Sequence, residues 1–70
     1  MKQIIQYAIY DRKKRLTEPE NTIPYGTCTT LITAMENRGK YGNNAIIVKQ
    51  TCQVQEDGSL LVVKEDNVDV

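Results

Sequence analysis

Four stretches carry most of the apolar residues. Residues 3–10 place Ile5, Tyr7 and Ile9 at alternate positions, with Ile4, Ala8 and Tyr10 between them. This β-branched and aromatic run predicts a strand that is apolar on both sides. Cys28, Leu31, Ile32 and Met35 recur at i, i+3, i+4 and i+7, so residues 27–38 are predicted as a helix with one apolar stripe. Gly26 or Thr27 can cap its start and Gly39 its end. Residues 45–54 and 60–65 are two further strands joined across Glu56-Asp57-Gly58-Ser59, where Asp-Gly suits a two-residue type I′ turn.

Between these stretches the chain is polar. Arg12, Lys13, Lys14 and Arg15 are four consecutive cations that cannot be buried together, which predicts an exposed loop or hairpin tip. Leu16-Thr17 can begin a short returning strand. Residues 18–26 hold both prolines and a glycine and read as an irregular connection. Residues 66–70 form an acidic tail expected to fray, although Val68 and Val70 can extend the last strand. The elements together predict a single α+β domain over residues 1–70. It would pack one helix on one face of a small, three- to four-stranded antiparallel sheet, in the order β-(β)-α-β-β.

The Asp57-Gly58 turn fixes a register in which Val54 faces Leu61 and Cys52 faces Val63. One side then carries Ile46, Val48, Cys52, Val54, Leu61 and Val63, the expected partner of the helix stripe. The other side carries Ile47, Leu60 and Val62 among polar residues. A single helix covers one face only, so Ile47, Leu60 and Val62 are expected to be an uncovered interface. Shifting the register by one residue would swap the faces without removing the surplus.

Composition narrows the chemistry. The 70 residues contain no His, Trp or Phe, and two Cys. Without His the commonest general base and metal ligand is missing. No CxxC pair, phosphate-binding glycine loop or metal-spaced ligand set is present, so neither a cofactor nor a metal is expected. Cys28 and Cys52 read as core thiols, with a single disulfide as the other possibility. Cys28 near a helix start favours a thiolate, but it has no His partner and sits on the apolar stripe. The expected function is therefore not enzymatic. No apolar run is long enough for a membrane span, and the start lacks the apolar core of a secretory signal. A cytoplasmic chain that is complete from Met1 is expected.

Nine basic and nine acidic residues cancel, yet they are segregated. Residues 1–15 carry a net charge of +4, residues 16–37 −3, residues 38–54 +3 and residues 55–70 −4. Local fields can be strong where the total vanishes. Arg12, Lys13, Lys14 and Arg15 are the candidate partner-binding residues, with Arg38, Lys40 and Tyr41 joining them if they lie at the same end. They suit an acidic protein surface or a phosphate backbone.

Three readings follow. The first is a non-catalytic interaction module, also pairing with itself as a homodimer through the uncovered sheet face, that acts by stoichiometric binding to a larger protein. Its most concrete version is an inhibitor of a host nucleic-acid-handling or defence protein, a role common among small α+β products of phage and mobile elements. That analogy is one of class, and fold does not fix function. The second is a small nucleic-acid-binding protein using residues 12–15. The third is an accessory subunit of a larger assembly.

Overall fold

The computed structural model describes residues 2–68. Strand β1 (Gln3–Asp11) leads into a short helix α1 (Arg12–Thr17), strand β2 (Gly26–Cys28) and helix α2 (Leu31–Tyr41). Strands β3 (Ala45–Val54) and β4 (Leu60–Val68) complete the chain. All four strands form one antiparallel sheet in the order β2-β1-β3-β4. The α+β class and the antiparallel sheet are as expected. The apolar character of both sides of β1 is explained by its position, because it is a central strand.

The second helix is a departure. Residues 12–15 are not a hairpin tip but begin α1, and Leu16-Thr17 end that helix instead of starting a strand. The Asp11 carboxylate accepts from the Lys14 N–H at 3.0 Å, capping the helix, and Lys, Arg and Leu are good helix formers. Asp11 also accepts from the Tyr25 hydroxyl at 3.0 Å. Tyr25 in turn stacks on Tyr41 at a centroid distance of 4.6 Å. These contacts tie the Pro-containing connection to the C-terminal end of α2.

The main helix starts later than its periodicity predicts. Thr27 and Cys28 belong to β2, where Cys28 pairs with Tyr7. Thr30 is the N-cap, its hydroxyl accepting from the Thr33 N–H. Gly39 lies inside the helix, and Gly42 at φ +89° ends it. The buried face is also rotated: Ala34 is fully buried, whereas Ile32 and Met35 are exposed. Alanine at the contact lets the helix backbone approach the sheet closely, and Ile9, Ala45 and Ile47 pack around it. Leu31 and Cys28 flank this cluster.

Ile47 therefore lies beneath α2, fully buried, and not on an uncovered face. The residues expected under the helix, Ile46 and Val48, lie on the opposite face with Ala8 and Tyr10. The hairpin register differs too. Val54 pairs with Leu60, and the Gln55 N–H bonds to the Ser59 carbonyl, so the loop is the three residues 56–58, one longer than an Asp-Gly pair, with the Gly58 N–H bonded to the Gln55 carbonyl. Gly58 at φ +86° supplies the left-handed residue of this turn. A β-bulge then intervenes: Cys52 pairs with Val62 but Thr51 with Lys64, leaving Val63 as the extra residue. The bulge lies beyond Leu60 and Val62, and for these two the one-residue register shift and the exchange of the face covered by α2 offset each other. Paired with Val54 and Cys52, they lie on the face turned away from α2 after all. Asp66–Val68 continue β4, so that part of the tail is strand; the expectation for residues 69–70 lies outside the described residues.

Candidate functional site

Polar residues set into apolar strands organise the face opposite α2. Gln50 shares a side of β3 with Ile46, Val48 and Cys52, yet is only 4% exposed. Its amide nitrogen donates to the Tyr10 hydroxyl at 3.1 Å and to a Glu65 carboxylate oxygen at 2.8 Å. Its carbonyl oxygen accepts from the Gln6 amide at 2.7 Å. The other Glu65 oxygen accepts from the Arg15 guanidinium at 2.7 Å. That guanidinium also lies 4.4 Å from the centroid of the Tyr10 ring. One network thus links β1, α1, β3 and β4. It joins the basic N-terminal block to the acidic C-terminal block, so part of the charge segregation is resolved inside the fold.

The electrostatics follow from these contacts. Burial raises the Glu65 pKa, but hydrogen bonds from Gln50 and Arg15 and the Arg15 charge outweigh it and hold the carboxyl below its usual 4.5. The Asp11 carboxyl is held below 3.8, chiefly by the Lys14 backbone N–H and then by the Tyr25 hydroxyl. Burial pushes the Cys52 thiol up, with the nearby Glu65 charge adding to it. Cys28 and Cys52 are both unlinked, Cys52 buried and Cys28 half-buried. Asn37 donates to Cys28 Sγ at 3.3 Å.

Beside the network is a cleft of about 590 Å³ lined by Arg12, Arg15, Arg38 and Glu65, with Ile46 and Val68 among its apolar walls. Helix geometry explains which basic residues reach it. Arg12 and Arg15 stand three positions apart and share a face of α1, whereas Lys13 and Lys14 are turned away. The four cations expected to act together are therefore divided in pairs. Arg38 does join them from α2, but Lys40 does not line the cleft, and Tyr41 is stacked on Tyr25.

The sheet edges differ sharply. β2 has three residues, a length that offers little to another strand. β4 has nine, and its first four are aliphatic and exposed: Leu60 43%, Leu61 53%, Val62 41% and Val63 47%. Leu60 and Val62 are the residues expected to be exposed from the sequence, whereas Leu61 and Val63 are expected under the helix and are exposed as well. Gln50 and Glu65 are not among the residues expected to form a site, although a glutamine in the row Ile46, Val48, Cys52 is a visible signal. Among the described residues no cluster of His, Cys, Asp and Glu can hold a metal ion, and no helix is long and apolar enough to cross a membrane. The chain matches no family model, no curated protein and no solved structure.

Proposed function

We propose that this protein is a non-catalytic interaction module that acts by stoichiometric binding through the free edge of β4. The observation that carries this reading is the exposed aliphatic run Leu60–Val63 on a nine-residue edge strand. An edge strand presents unpaired backbone N–H and C=O groups, and apolar side chains on both of its sides make added pairing favourable. Proteins ordinarily protect such edges with charge. Here Lys64, Glu65 and Asp66 guard only the second half of the strand. Its first partner is a second copy of the chain, forming a homodimer across paired β4 strands. The dimer or the free edge then engages a larger protein, most concretely as an inhibitor of a nucleic-acid-handling or defence protein.

Sedimentation equilibrium tests the pairing. The wild-type chain is expected to dimerise with rising concentration, and Leu61→Lys is expected to remain monomeric with an unchanged far-UV circular dichroism spectrum. A wild-type chain that stays monomeric up to about 1 mM, where association is worth only about 4 kcal/mol, rules out self-pairing.

A further inference from the structure

We propose that a second copy meets β4 in one antiparallel register, with Leu61 of both chains on the two-fold axis and Leu60 of each chain opposite Val62 of the other. This rests on the reading that β4 pairs with itself, and it names the segment that does so.

The hydrogen bonds of the hairpin select the residues. The Gln55 N–H donates to the Ser59 carbonyl, whereas the Val54 N–H points the other way and donates to the Lys2 carbonyl. Bonded and unbonded pairs alternate along an antiparallel ladder. Val54–Leu60 and Cys52–Val62 are therefore unbonded pairs, with Gln53–Leu61 bonded between them. Leu60 and Val62 thus turn their own N–H and C=O groups outward at the edge, and Leu61 turns its groups toward β3. Among the described residues no strand pairs with β4 on that outer side.

Symmetry limits the choice of register. A two-fold axis perpendicular to the sheet keeps each face on its own side, so directly paired residues share a face and one residue lies opposite its own copy. With Leu61 on the axis, two Leu60–Val62 pairs each exchange two hydrogen bonds, and all the side chains they bring together are aliphatic. With Val62 on the axis, Leu60 falls opposite Lys64, which lies past the bulge and turns its groups toward Thr51. With Leu60 on the axis, Val62 falls opposite Gly58 of the turn. An axis at Lys64, Glu65 or Asp66 sets a charge against its own copy. The Leu61 register joins two four-stranded sheets into one and places both α2 helices on the same face.

The test is disulfide trapping in a Cys28→Ser chain, whose remaining Cys52 is fully buried, with glutathione disulfide as the oxidant. Directly opposed residues have Cα atoms about 4.5–5.5 Å apart, within reach of a disulfide, whereas the two copies of Leu60, or of Val62, would be roughly 9 Å apart and out of reach. Leu61→Cys is expected to be trapped as a dimer about tenfold more than Leu60→Cys or Val62→Cys alone. An equimolar mixture of the Leu60→Cys and Val62→Cys chains is expected to give the mixed dimer, identified by mass, in excess of both symmetrical ones. All three positions are exposed, and far-UV circular dichroism of the reduced variants shows that each is folded. Sedimentation equilibrium of the reduced Cys28→Ser chain reports separately whether a dimer forms. A dimer that is trapped equally at all three positions, best at Leu60→Cys or Val62→Cys, or at none overturns this register and leaves self-pairing standing. A chain that stays monomeric up to about 1 mM overturns both.

Discussion

Gln50 is the residue on which the face opposite α2 turns. Its amide is buried and meets Gln6, Tyr10 and Glu65 at once. Gln50→Leu keeps roughly the same size but strips all three contacts, taking the partner from the half-buried Gln6 amide and from the buried Tyr10, while Glu65 keeps Arg15. A loss of about 1–3 kcal/mol is expected in urea denaturation. Glu65 adds a pH dependence whose sign is fixed. Its folded pKa lies below the ordinary 4.5, so its contribution is complete above that value and is lost as pH falls through the lower folded pKa. Glu65→Gln should therefore be less stable than wild type at neutral pH, with the difference closing in acid. Denaturation curves at a series of pH values check this. Cys52 is fully buried with its thiol pKa raised by that burial. Iodoacetamide should label Cys52 only after unfolding, and labelling at the rate of a free thiol in the native chain would contradict the packing.

Helix α1 shows how a few polar contacts create an element that periodicity cannot announce. Six residues are too few to hold a helix on propensity alone. Asp11 caps it, and Arg15 fixes it to Tyr10 and Glu65, the latter fifty residues away in the chain. A basic run followed by Leu16-Thr17 carries no sign of those distant partners, which is why it reads as a loop. The long elements were legible because their signals are local: alternation over 3–10, the aliphatic run at 45–54, and Asp57-Gly58 between strands. Their faces were not. Choosing between Ile46 and Ile47 as the buried side depends on where α2 lands, and that depends on Ala34, whose value lies in being small. The bulge at Val63 leaves no mark in the hydrophobic pattern, because Val63 ends a continuous aliphatic run, Leu60–Val63, that has no alternation to break. The same reasoning yields an element-level prediction. Thr30→Ala, by removing the cap of α2, should cost about 1 kcal/mol, whereas an alanine at Thr27, outside the helix, should leave that cap intact. Thermal unfolding of both variants separates the observed helix start from the one that spacing alone predicts.

At the scale of the molecule, the apolar surplus is smaller and better placed than a sheet with one bare face would have. The middle of the face opposite α2 is buried, and the Gln50–Glu65–Arg15 network lies over it. Single apolar side chains such as Leu16, Ile23 and Ile32 are exposed elsewhere, but the consecutive exposed run Leu60–Val63 lies on β4, at the long edge of the sheet. A small domain has little stability to spare, so burying Leu60–Val63 against a second copy should stabilise the folded state itself. That link makes stability depend on concentration. If the folded chain is dimeric and the unfolded chain is not, a tenfold rise in concentration adds about 0.7 kcal/mol per chain, or about 3–5 °C in Tm. Leu61→Lys should abolish the dependence while matching the wild type at the lowest concentration, since Leu61 is exposed and contributes little within one chain. Calorimetry of both proteins across a hundredfold concentration range distinguishes the two cases. A Tm independent of concentration in the wild type would mean that β4 keeps its free edge, and that any partner of this edge must be a different protein.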